Sequence, residues 1–154
     1  MEKADIAPEI YELTSSKVWE KNCAKAGSQK VCVIAFLPHI YDSTAAERNA
    51  HIDLLAQTAK KHRNQPFAWF WAQAGDHLDL QKQFDVGFGF PQVVTFAPTK
   101  KMGSVMLSTF GAQNLGSFLT SLMAGKERVF KIEQELAVKK VDKWDGKDQQ
   151  PPVY

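Results

Sequence analysis

The residues with the most reactive side chains in this chain are Cys23 and Cys32, with eight residues between them. Paired thiols can exchange disulfides, bind metal or simply bridge. Dithiol redox catalysis uses two cysteines within a C-x-x-C turn, and a structural zinc site needs about four Cys or His ligands. The observed spacing and number suit neither. Two readings stay open: a pair of buried free thiols, or a bridge tying a helix to the strand that follows. The four histidines, His39, His51, His62 and His77, show no metal-protease spacing, so no metal or cofactor is expected.

Those cysteines sit in elements that the hydrophobic pattern outlines. Glu9 to Leu13 reads as a short strand. Ser15-Ser16 offers a helix N-cap, with Trp19, Cys23 and Ala26 on one face and Gly27 at the end. Val31 to Leu37 is an unbroken apolar run, the pattern of a strand covered on both faces. Thr44-Ala-Ala-Glu47 has capping-box spacing and opens a helix with Ile52, Leu55, Ala56 and Ala59 inward, ending near Arg63-Asn64. Phe67 to Ala72 is a second buried strand, with Trp69 and Trp71 as core residues. A short helix from about Asp76 carries Leu80 and Phe84.

Gln92 to Ala97 and Ser104 to Thr109 read as a hairpin around Pro98 to Gly103. Leu115, Phe118, Leu119, Leu122 and Met123 then mark an amphipathic helix closed by Gly125. The order β-α-β-α-β-α-β-β-α predicts an α/β fold with a central mixed sheet flanked by helices. Residues 1–8 read as the start of an expressed fragment, 9–125 as the domain, and 126–154 as a charged, partly ordered tail.

Bulk properties narrow the function classes. The 154 residues suit one domain, with 44% hydrophobic and 23% charged residues as in soluble folded proteins. A net charge of +2, without a basic run, gives no footprint for nucleic acid. No stretch approaches the roughly 20 apolar residues of a membrane span, so neither partner class is expected.

Two segments carry a family resemblance. Leu80, Phe84 and Val86, followed by Phe90-Pro91 and a strand, resemble the thioredoxin-family segment in which a cis-proline faces the active site. Val33-Ile-Ala-Phe-Leu-Pro38 resembles the strand that delivers the C-x-x-C motif, but His39-Ile-Tyr-Asp-Ser-Thr44 follows it here. Disulfide exchange needs a thiolate and a resolving thiol, so that position cannot perform it.

A closer similarity covers most of the chain. Cys32 to Ile40, Ala45 to Asn49, Trp69-Phe-Trp71, Gly87 to Pro91 and Trp144 to Asp148 resemble the C-terminal, non-catalytic thioredoxin-like domain of protein disulfide-isomerase family A, member 6 type. The resemblance implies an isomerase parent in the endoplasmic-reticulum lumen, whose catalytic domains, acidic end and retention signal this fragment lacks. In that compartment the Cys23–Cys32 bridge becomes the favoured reading. It also implies a cis-Pro91 pole, where Leu37, Pro38, His39, Ile40, Tyr41, Phe88, Phe90 and Pro91 are the candidate binding residues. Either these form an apolar surface or they fold inward against the second helix and the tail. His39 receives no proton-transfer role.

The expected function is client or partner binding and scaffolding for catalytic domains elsewhere. Unfolded or partly folded proteins and reticulum chaperones or stress sensors are the expected partners. The alternatives are a thiol enzyme using Cys23 or Cys32, and a purely structural spacer.

Overall fold

The structure, a computed structural model, describes residues 8–24, 29–87 and 89–152. The expected helix positions Ala26 and Gly27, and the candidate site residue Phe88, lie outside them. The described residues form β1 (Ile10–Glu12), α1 (Ser16–Asn22), β2 (Val31–Leu37), α2 (Ala45–Lys61), β3 (Phe67–Gln73), α3 (Leu78–Gln83), β4 (Gln92–Ala97), β5 (Met102–Val105), α4 (Ala112–Met123) and β6 (Phe130–Lys131). A 3₁₀ turn, Ile40–Asp42, stands between β2 and α2.

The six strands make one sheet in the order β1-β3-β2-β4-β5-β6. β3 runs parallel to both β1 and β2, while β4, β5 and β6 add antiparallel. The central position of β2 explains its unbroken apolar run. Cys32, Ile34 and Phe36 face one layer with Trp19, Phe70, Leu80 and Phe84. Val33, Ala35 and Leu37 face the other with Leu55, Trp69, Trp71, Leu115 and Leu119. Helix burial is needed on both faces, because a strand apolar on each side leaves neither for water.

Local chemistry sets the helix starts. Ser15 Oγ accepts from the Val18 amide, and Thr44 Oγ1 accepts from the Glu47 amide at 3.0 Å. α2 stops at Lys61, slightly earlier than the sequence pattern suggests. α3 begins at Leu78, with no side-chain cap from His77. That imidazole is committed elsewhere: Nε2 lies 2.8 Å from Leu13 O, and Nδ1 accepts from the Lys139 amide at 2.9 Å.

One part of the sequence pattern shifts. The second hairpin strand runs from Met102 to Val105, and does not continue to Thr109. Its last bond to the neighbouring strand is from the Met106 amide to Val93 O. Beyond it the partner runs into Pro91, which has no amide to offer.

Residues 126–154, read from sequence as a charged, partly ordered tail whose Phe130, Ile132, Leu136, Val138 and Val141 could dock, make contacts with the domain. Phe130–Lys131 extends the sheet and Ile132 is buried. Leu136 and Val138 pack on the α1/α3 face, and Trp144 packs on the α2/α4 face. Apolar residues spaced irregularly along an extended segment give no periodic signal, yet each finds a place on the sheet layers.

Candidate functional site at the carboxyl end of the central strands

β2 and β3 are parallel and end side by side, Leu37 against Gln73. β4 starts beside them, with Gln92 opposite Phe36, directly after a cis Phe90–Pro91 peptide. The strand ends and the loops after them therefore share one pole. A rigid sheet holds such loops in place, which suits them to recognition.

The loop after β2 is staked by a buried arginine. Arg48 projects from the first turn of α2, is 2% exposed, and donates from Nη2 to Pro38 O at 2.8 Å and Gln73 Oε1 at 2.9 Å. Gln73 Oε1 also accepts from the Ile40 amide at 3.0 Å, while its Nε2 donates to Asp76 Oδ1 at 3.1 Å. The guanidinium lies against both the Trp71 and Trp144 rings, which meet each other edge-to-face. Burial lowers the Arg48 pKa, and the nearby carboxylates Asp76 and Glu12 push it back. Arginine remains a cation here, held by hydrogen bonds and aromatic faces.

The turn itself is ordered by its own residues. His39 Nδ1 accepts from the Tyr41 amide at 3.1 Å, and the two rings lie 4.4 Å apart. His39 is thus an acceptor that shapes the turn.

The candidate residues divide by burial. Leu37 and Ile40 are 0% and 1% exposed, so these two follow the inward alternative. Leu37 ends a strand covered on both faces, and the Ile40 amide is drawn inward by Gln73. Pro38, His39, Phe90 and Pro91 are half-buried. Phe90 packs against the α1/α3 layer. Tyr41 is exposed.

Sequence reasoning missed two contributors. Leu107, 91% exposed, follows the last rung of β5 beside the start of β4, at this same pole. Its apolar neighbours made it read as strand. Gln92 Oε1 is buried with no hydrogen-bond partner among the described residues, an acceptor left at the pole. No pattern in the sequence distinguishes that amide from a solvated one.

The thiol chemistry sits elsewhere. Cys23 caps α1, Cys32 is the second residue of β2, and a disulfide joins them with Cα atoms 5.9 Å apart. Both are 0% exposed. Five residue steps along the strand lead from Cys32 to Leu37, about 17 Å at the rise of a β-strand. Among the described residues no group of three or more His, Cys, Asp or Glu is placed to hold a metal ion.

Known proteins resemble this chain in sequence and fold. Residues 1–127 match the family model described as "PDIA6-like, C-terminal thioredoxin-like domain". The chain is 35% identical to protein disulfide-isomerase 2-3 of Arabidopsis thaliana over 91% of its own length and 31% of that protein. It is 32% identical to the Drosophila melanogaster protein disulfide-isomerase A6 homolog, over 96% of this chain and 34% of that one. The chain therefore spans about a third of the length of these curated relatives.

Among solved structures, the bb fragment of ERp72 superposes with a TM-score of 0.57 at 17% identity, covering 76% of this chain and 49% of that one. Chloroplastic thioredoxin z superposes with a TM-score of 0.54 at 11% identity, covering 78% and 99%. These structural likenesses establish a thioredoxin-like fold. The match over residues 1–127 establishes the rest: the chain belongs to the PDIA6-like C-terminal thioredoxin-like domains.

Proposed function

We propose that this domain is a redox-inactive binding and scaffolding module of a protein disulfide-isomerase. The observation that carries the reading is the location of sulfur. The pole where a thioredoxin-like enzyme presents its thiols holds His39-Ile40-Tyr41-Asp42, and both cysteines are bonded to each other near the far end of β2. A thiol enzyme needs an accessible thiolate, and two buried, bridged sulfurs do not supply one.

What the pole retains is a means of holding peptide. Tyr41 and Leu107 are exposed, and Phe90 and Pro91 are half-buried. Apolar side chains on strand-end loops suit an extended, partly folded polypeptide better than a small polar ligand. Exposed apolar groups on a rigid pole also count against a mere spacer. The relatives are named protein disulfide-isomerases, which supports an isomerase parent and an endoplasmic-reticulum lumen address. In such a parent, tethering raises the local concentration of a bound client near catalytic domains. Chaperones or stress sensors of that compartment are the other proposed partners.

The test is fluorescence anisotropy with a labelled, reduced and alkylated client protein. Tyr41→Ser combined with Leu107→Ser is expected to weaken binding by about 30-fold, the loss of an anchor worth about 2 kcal/mol. Unchanged affinity in a folded double variant rejects this surface.

A further inference from the structure

The segment after Val138 crosses the α2 side of the pole as an extended strap. Its backbone donates three hydrogen bonds to the body of the domain: Lys139 to His77 Nδ1 at 2.9 Å, Val141 to Thr14 O at 2.8 Å, and Trp144 to Glu12 Oε2 at 2.9 Å. The Trp144 ring then lies over the Arg48 guanidinium at 4.9 Å and edge-on to Trp71 at 6.1 Å. The chain turns at Gly146, whose φ of 82° favours glycine, and Asp148 Oδ1 accepts from the Ala45 amide at the start of α2.

Each contact has a chemical logic. Arg48 offers a cation to an aromatic face, and Glu12 offers a carboxylate to a backbone amide. The first turn of the 17-residue helix α2 offers an amide to a carboxylate, where the helix dipole also favours negative charge. Lys143 borders the same cleft as Glu12 and Asp76, whose charges it complements.

The strap is bound as a ligand is bound. It has no regular secondary structure, most of its residues are exposed, and only Trp144 and Val141 are half-buried between Lys139 and Gln149. A cleft of about 310 Å³, lined by Glu12, Arg48 and Asp76, stays open beside Trp144. A segment held by a few separated contacts opens locally at much lower cost than the core.

We propose that Glu12, Arg48, Trp71 and the first turn of α2 form a second peptide-binding site, distinct from the Tyr41–Leu107 surface. In cis it holds the chain's own Lys143–Asp148. In trans it accepts an extended segment of the same chemistry: a lysine–tryptophan pair followed, four residues after the tryptophan, by a carboxylate. The tethered strap competes at high effective concentration, so a trans ligand registers fully only when the strap is weakened.

The experiment uses the full chain carrying Trp144→Ala and Asp148→Asn, and a fluorescent synthetic peptide of residues 138–150. Anisotropy is expected to show saturable binding to this variant, with apparent affinity for the unaltered chain at least about tenfold weaker. The same peptide with Trp144→Ala is expected to lose about tenfold or more, since the aromatic is its main anchor. Asp148→Asn alone serves as a second, milder variant with intermediate affinity. Absence of saturable binding to both folded variants overturns the proposal, as does equal binding of the Trp144→Ala peptide.

Discussion

The guanidinium carbon of Arg48 lies 4.9 Å from the centroid of the Trp144 ring, joining the first turn of the second helix to the far end of the chain. The same guanidinium, 5.1 Å from Trp71, donates to Pro38 O and Gln73 Oε1. One buried side chain thus fixes the loop after β2, the end of β3 and the C-terminal strap.

Arg48→Met should therefore destabilise the domain by about 2–4 kcal/mol, because it takes a donor from Pro38 O and from Gln73 Oε1, which keeps only the Ile40 amide, and removes a charge that Glu12 and Asp76 accompany. Urea unfolding at neutral pH measures this. Arg48→Lys should recover only part of the loss, since a compact ammonium cannot contact both perpendicular indoles and keep both hydrogen bonds. Full recovery by lysine contradicts the geometry assigned to the clamp.

Stability should fall on mild acidification. Burial lowers the His77 pKa below its ordinary 6.5, against the opposing pull of its bond to Leu13 O and of Asp76; His51 is lowered by burial too. A histidine lowered by folding is protonated more readily in the unfolded chain. Its contribution is complete above about pH 6.5 and is lost as pH falls from there toward its folded value. Each histidine gives at most about 1.4 kcal/mol per pH unit in that window. Glu12, raised chiefly by burial, acts with the opposite sign, so a Glu12→Gln background isolates the effect. Urea midpoints that do not change between pH 7.5 and 5.5 in that background exclude this linkage.

The Cys23–Cys32 bridge closes a short loop, and its sequence separation of 9 implies about 2.5–3 kcal/mol of stabilisation in the chain-entropy model. Reduction, or Cys23→Ala with Cys32→Ala, should lower the melting temperature by several degrees. Intact mass should rise by two hydrogens on reduction. A native chain that reacts with two equivalents of thiol reagent without reductant has no such bridge.

Much of the fold is legible in the amino-acid sequence, for reasons that differ by element. Gln92–Ala97 is read to the residue because cis-Pro91 and Pro98 bracket it. The start of α2 is equally clear, since Thr44 and Glu47 form a local cap. The two-sided burial of β2 follows from its unbroken apolar run. The failures are long-range. Arg48 has the look of a solvated helix charge, and only Trp71 and Trp144, brought from two distant segments, make it a buried one.

The site is legible in part for the same reason. Pro91 and the missing thiols mark the pole through the resemblance to thioredoxin-family segments. Which apolar residues there face solvent depends on packing: Ile40 turns inward to Gln73, while Leu107 emerges where β5 loses its partner. In the C-terminal segment the apolar residues Leu136 and Val138 are legible as ones that can dock, whereas Trp144 is not, because it docks alone on the opposite layer.

The central claim is that this domain keeps a thioredoxin-like frame without its chemistry, and insulin disulfide reduction tests it most directly. With dithiothreitol as reductant, at a temperature where both proteins stay folded, the chain should precipitate insulin no faster than its Cys23→Ala/Cys32→Ala variant. The warrant is that no cysteine lies at the pole and that both cysteines are 0% exposed. A rate clearly above that variant, lost when either cysteine is replaced, would contradict the account.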